Sequence, residues 1–207
     1  MKRILAGIST LVALSLPGLA LASTWTIDPD HTNVGFRVKH LMVSSVNGNF
    51  QKHSGTVVID DRDVTKSKVE IVIDTASINT NVVKRDEHLR SADFFDVANY
   101  PTMTFVSKKV VKAGKGRLRV TGDLTLHGQT KEVVLVVEGP SKESKDPWGN
   151  LRRGASATAH INRRDFGLVW NKTLETGGVL VGDEIAITLD VEMIKNKDNA
   201  ALLQQLK

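Results

Sequence analysis

Apolar and polar residues alternate with a period of two along most of this chain. Val34, Phe36 and Val38 alternate with Asn33, Arg37 and Lys39; Val69, Ile71 and Ile73 alternate with Lys68, Glu70 and Asp74. Leu118, Val120, Leu124 and Leu126 share one parity, with Arg117, Arg119, Thr121, Asp123 and Thr125 on the other. Ile185, Ile187, Leu189, Val191 and Met193 oppose Glu184, Thr188, Asp190 and Glu192. Successive side chains of a strand point to opposite faces, so this pattern puts one face in a core and the other in water. Further strands are predicted at Trp25–Asp28, Gly55–Asp60, Met103–Val111, Lys131–Glu138 and Gly154–Asn162. The total is about eight to ten antiparallel strands. A sheet of that size must close or fold over itself, because open edges invite aggregation. Asn47-Gly48, Ala113-Gly114-Lys115-Gly116 and His127-Gly128-Gln129 read as hairpin turns.

One segment breaks the alternation. Asn81 to Phe95 predicts a helix of two to three turns, capped by Asn81 or Thr80. Asp86 and Arg90 stand four apart, as an ion pair requires. Val82, Val83, Leu89 and Phe94 are expected to face the sheet, and a tight segment then leads to Tyr100-Pro101. Ala200 to Lys207 read as helical or frayed.

The first 22 residues have a different grammar. Lys2 and Arg3 precede an apolar run from Ile4 to Leu16, Pro17-Gly18 breaks it, and Ala20-Leu21-Ala22 supplies small residues where a signal peptidase reads. The run is too short to span a bilayer, so it predicts a secretory signal peptide cut after Ala22 and a periplasmic or secreted protein. Residues 23–195 then form one domain and 196–207 a C-terminal tail. No other stretch predicts an integral membrane span.

Composition narrows the function. The chain has 207 residues and no cysteine, which removes disulfides, thiolate nucleophiles and cysteine-held metals together. Its formal charge of +5 drops by two when Lys2 and Arg3 leave, and only ten aromatic residues are present (Trp 3, Tyr 1, Phe 6). That balance, with export, argues against a nucleic-acid partner. No nucleophile elbow, dinucleotide fingerprint, phosphate loop, two-histidine zinc pair or calcium loop occurs, so no cofactor or metal is expected.

The strand Gly154–Asn162 places Ala155, Ala157 and Ala159 on one parity, followed by Ile161. If that face points inward, methyl groups stand where Leu or Ile would ordinarily fill a core. The missing volume is then filled by a neighbour or remains as a cavity. An eight-stranded barrel is near the size at which its interior either just fills or holds one small ligand. Three polar groupings need weighing. His31 beside Asp28 and Asp30 suggests a metal or general-base site, but a hydrogen-bonded turn explains Asp28-Pro29-Asp30-His31 more simply. Arg85-Asp86-Glu87-His88 reads as a structural network around the helix, and Asn162-Arg163-Arg164-Asp165 as either an anion site or a solvated turn. Trp148 is expected to anchor its loop.

These segments carry a resemblance. Trp25-Thr26-Ile27-Asp28-Pro29-Asp30-His31-Thr32-Asn33-Val34-Gly35-Phe36 and its continuation through His40-Leu41 and Val46 to Phe50 resemble the opening of the YceI-like family. Arg85 to Asp96, Tyr100 to Phe105, Gly122 to Lys131, Asn162 to Gly167 and Gly182-Asp183-Glu184-Ile185 follow in that family's order. The resemblance implies an all-β, extended antiparallel eight-stranded lipocalin-like β-barrel with one short α-helix insertion. It also implies an apolar pore holding a polyisoprenoid or another long-chain lipid or amide, a periplasmic or secreted location, and a homodimer. It supplies no catalytic residue.

Both lines predict a binding protein for an amphiphile with a long apolar chain. The expected lining is Val34, Phe36, Val38, Ile71, Met103, Phe105, Leu124, Leu126, Ala157, Ile161 and Ile187, with His40, Asn162 and Arg163 at the mouth. A one-residue slip in register would turn each lining residue to the opposite face. The alternatives are an enzyme acting on a lipid or isoprenoid-quinone precursor in the same pocket, and an interaction protein with a solid core.

Overall fold

The computed structural model describes residues 22–175 and 177–196. The expected signal segment lies outside the described residues except for Ala22, and the expected tail except for Asn196. The chain runs through β1 (Ala22–Ile27), β2 (Asn33–His40), β3 (Ser44–Phe50), β4 (His53–Asp60), β5 (Lys68–Asp74) and β6 (Ile78–Asn79) to α1 (Val83–Arg90). It continues through β7 (Thr102–Lys112), β8 (Arg117–Leu126), β9 (Gln129–Glu138), β10 (Ser144–Lys145), β11 (Leu151–Asn162) and β12 (Val181–Lys195).

Eight strands close an antiparallel barrel in the order β11, β9, β8, β7, β5, β4, β1, β12, and the pairing of β12 with β11 completes the ring. The closing ladder runs from Arg152 opposite Ile194 to Asn162 opposite Glu184. On its other side β12 pairs with β1 at Trp25–Lys195 and with β2 at Phe36–Ile187. Its 15 residues therefore let one strand serve two partners. From β2 the sheet extends to β3 and β6, which brings α1 against one end of the barrel. Closure satisfies both sides of most barrel strands, which is how antiparallel proteins limit templating of further strands.

The alternation holds through the core. Val34, Phe50, Met103, Phe105, Leu126, Val133 and Leu135 are buried in one cluster, and Trp25, Ile59 and Met193 form a second. Turns at Gly114–Gly116 and at His127-Gly128 take positive φ, as expected.

Asn47-Gly48 is not a turn. Both residues lie inside β3, opposite Arg37 and Phe36. A Cβ on Gly48 would lie 2.5 Å from the Phe36 ring, and one on Gly122 would lie 2.5 Å from the Phe105 ring. These glycines make room for phenylalanines, a use of glycine that looks like a turn signal in a bare sequence. The turn is instead Leu41–Val43, where Leu41 (φ 53°) and Met42 (φ 61°) adopt left-handed backbone.

The helix has the expected two turns but not the expected start. It begins at Val83, without a side-chain cap from Thr80 or Asn81. The polarity is reversed: buried Asp86 accepts from the Thr80 backbone N–H (2.9 Å) and from its hydroxyl. Asp86 therefore does not pair with Arg90, whose guanidinium donates to Ala76 O and Ile78 O (2.7 Å each). Leu89 and Phe94 pack on the core, while Val82 and Val83 face solvent. Trp148 is exposed and anchors nothing; Asp146 holds that loop, accepting from Trp148 N, Asn150 N and Arg152 Nε.

Candidate functional site

The barrel is hollow. A main cavity of about 170 Å³ is walled by inward residues of β2, β5, β7, β8, β9, β11 and β12, with Leu89, Phe94 and Phe95 from the helical segment. A distal lobe of about 90 Å³ lies between Val57, Val69, Leu118, Val120, Ala155, Ala157 and Met193. Ile27, Ile71, Leu135, Leu189 and Val191 border both spaces, so the two are neighbours along the barrel interior. A vestibule of about 170 Å³ lies at the helix end, between His40, Val46, Arg85, His88 and Trp170. It shares Phe36, Val38, Leu89, Phe94 and Val181 with the main cavity. Apolar cavities thus adjoin one another from the helix end deep into the barrel.

Sequence parity anticipates much of this wall. Val34, Phe36, Val38, Ile71, Met103, Phe105, Leu124, Leu126, Ile161 and Ile187 all line the main cavity. Ala157 lines the distal lobe with Ala155, so the alanine face of β11 is not fully filled by larger neighbours. Phe50, Phe95, Leu168 and Ile185 also line the main cavity; the turn signal of Asn47-Gly48 masks the strand that carries Phe50.

The expected mouth residues separate. His40 lines the vestibule. Asn162 is exposed and its side chain caps the turn that follows, accepting from Arg164 N at 2.9 Å. Arg163 borders the main cavity but is 3 % exposed, and its guanidinium is spoken for. It donates to Gly182 O (3.0 Å), Leu168 O, Trp170 O (2.9 Å) and Asp183 (2.9 Å). Burial draws its pKa down from the usual arginine value, against the pull of Asp183. Its place in this structure is to lace the segment after β11 to β12.

Another polar group faces differently. His53, at the start of β4, lines the main cavity. Its Nδ1 donates to Phe50 O (3.3 Å), while Nε2 is buried with no partner. In the neutral ring that nitrogen is an acceptor, left here as an unsatisfied polar atom within the barrel wall.

His88, at the vestibule, is held by Asp93 (2.8 Å) and packs edge-on against Trp170 and Phe94. The Asp28–His31 grouping is a charge network. Asp28, His31 and Glu192 converge within 4.8 Å. Arg152 reaches into the same cluster, donating to Asp28 and Glu192 at 2.5 Å and to Asp146 at 2.7 Å. Burial works to raise the Asp28 pKa, but hydrogen bonds from Arg152, His31 and Asp30 N outweigh it and the net direction is down. The guanidinium supplies the positive charge that a metal ion would bring.

A family model described as the YceI-like domain matches residues 25–193. The chain belongs to the YceI-like family. A UPF0312 protein of Vibrio cholerae is 40 % identical over 170 residues, covering 81 % of this chain and 89 % of its own length. The crystal structure of the Campylobacter jejuni YceI protein is 35 % identical, with a TM-score of 0.65, over 83 % of this chain and 96 % of that one. A domain from Saccharophagus degradans, described as polyisoprenoid binding, shares the fold at 16 % identity and a TM-score of 0.59, over 83 % and 98 % of the two chains. The YceI-like barrel of this chain therefore carries its cavities in a fold common to proteins of low mutual identity.

Proposed function

We propose that this protein is an exported carrier that holds a polyisoprenoid or similar long-chain amphiphile in its barrel. The observation that carries this reading is the row of adjoining cavities from vestibule to distal lobe, walled almost wholly by carbon. Such a space excludes water and favours an alkyl or isoprenoid guest, at roughly 0.8 kcal/mol per buried CH₂. The Saccharophagus degradans domain, described as polyisoprenoid binding, supports the same chemical class. In this reading the main cavity and distal lobe take the tail, with Ala157 beside its far end, and the vestibule with His40 receives the headgroup. Asn162 and Arg163 have no part in that mouth: Arg163 borders the main cavity with its guanidinium already bonded, and Asn162 caps the turn that follows it.

Binding is favoured over turnover because the main cavity offers little chemistry. Its titratable neighbours are His53 and Arg163, and the guanidinium is already fully engaged. A general acid–base mechanism needs a positioned pair of groups. Cleavage of residues 1–22 would leave Ser23, still paired with Ile59, at the head of β1.

Native mass spectrometry of the protein purified from its own periplasm tests the proposal. A mass increment that extraction identifies as a long-chain lipid is the expected result. Ala157→Phe should fold, since its ring enters existing space, yet lose the longest guests. Lipid-free wild type, or an Ala157→Phe variant loaded as wild type, contradicts the reading.

A further inference from the structure

The vestibule has an apolar rim that folding does not use. Leu41, Met42, Val43, Val82, Val83 and Val169 are six of the ten large apolar residues exposed among the described residues. They lie on three segments: the β2–β3 turn after His40, the start of α1 before Arg85, and the residue before Trp170. His40, Arg85 and Trp170 are themselves vestibule walls. The β2–β3 turn also abuts the loop that completes the wall. Leu41 N donates to Leu180 O (2.8 Å), and Met42 Cγ lies 3.9 Å from where a Cβ on Gly178 would stand.

The turn is chemically odd. Val43 N bonds to His40 O (3.2 Å) around two successive left-handed residues, Leu41 and Met42. That geometry favours Asn-Gly, and bulky L-residues adopt it at a cost. Val43, 81 % exposed, follows at the tip. Apolar side chains are thus displayed on a convex tip by a backbone that resists them, and strain of that kind is kept where a surface has work to do.

We infer that this rim seats on the surface of a lipid bilayer and feeds the vestibule from it. The inference rests on the carrier reading above, because a guest that suits the cavity suits water poorly and gains from a mouth that meets the lipid phase directly. A convex apolar tip enters a deformable acyl layer without a matching pocket. The charges on the same segments are nearly balanced: Lys39, Lys84, Arg85 and Lys172 against Asp86, Glu87 and Glu175, with none of the seven in an ion pair among the described residues. Insertion of apolar side chains, rather than attraction to anionic headgroups, then carries the contact, and its salt dependence is weak.

Co-sedimentation with vesicles of phosphatidylethanolamine and phosphatidylglycerol tests this, beside uptake of a fluorescent polyprenol from the same vesicles. Leu41→Asn with Met42→Gly supplies the residues the turn prefers, so its melting temperature should equal or exceed that of wild type. Vesicle affinity and uptake rate should nevertheless fall on the order of tenfold. Val43→Glu should act alike without altering the turn. Both variants, loaded from detergent instead, should reach wild-type occupancy, because none of the three residues lines the cavity. Wild type that ignores vesicles, variants that bind and load from them normally, or variants that lose self-association rather than vesicle binding would each overturn the assignment. A wild type that takes no lipid even from detergent defeats the carrier reading itself, a separate result.

Discussion

At the scale of single residues, His53 tests what an unpaired polar atom costs the barrel wall. A buried acceptor without a partner is destabilising, and replacing it with an apolar side chain of similar reach removes that burden. His53→Leu removes the unpaired Nε2 but also the Nδ1–Phe50 O bond, so the two effects should offset to within about 1 kcal/mol in chemical denaturation. His31 offers a pH test. Its Nδ1 bonds Asp28, and that hydrogen bond, reinforced by charge, raises its pKa above the usual 6.5. A histidine whose pKa is raised on folding adds stability at pH values below about 6.5, and the gain vanishes as pH climbs through the raised value. Thermal melts of wild type and His31→Gln should therefore differ most near pH 5 and converge in alkaline buffer. The period-two pattern made the wall residues readable, because parity needs only the neighbours in sequence. His53 carried no such mark, since its significance lies in a ring nitrogen left over after Phe50 O takes the other.

At the scale of elements, α1 shows why local signals misled. Its first turn is tied by Asp86 reaching back to Thr80 rather than by a cap on the preceding residue. Asp86→Ala leaves the buried Thr80 donors unsatisfied and should destabilise the protein by about 1–3 kcal/mol. Hydrogen exchange should show the loss concentrated in residues 78–95, with the barrel strands little changed. Arg85 and Arg90, which look like surface charges, bind carbonyls and hydroxyls of the β6 region instead: Arg85 holds Thr80, and Arg90 holds Ala76 and Ile78. The β2–β3 connection misled in the opposite sense. Asn47-Gly48 is a strong turn signal, yet Gly48 serves the Phe36 ring across the strand pair. A partner twelve residues away in sequence decided the matter, and propensity knows nothing of it.

At the scale of the molecule, an unfilled barrel has a stability consequence. Walls facing empty space lack contacts that a packed core provides, so a guest that binds only the folded chain stabilises it by mass action. Stripping lipid by organic extraction and refolding should lower the melting temperature by about 5–10 °C, and adding a long-chain polyprenol back should restore it. No change on stripping would mean that the cavity is empty in the purified protein. What the amino-acid order determined by itself was the alternation: it names the inward residues of each strand, demands closure of a sheet this large, and marks β11 as short of side-chain volume. Only the tertiary structure decided that β12 would join β1 and β2 to β11, that the space beside Ala157 would stay open rather than be filled from across the barrel, and that Arg163 would be consumed by backbone carbonyls. Those outcomes depend on which side chains meet across the interior and on which hydrogen-bond donors remain unspent, and such quantities exist only once distant strands are brought together.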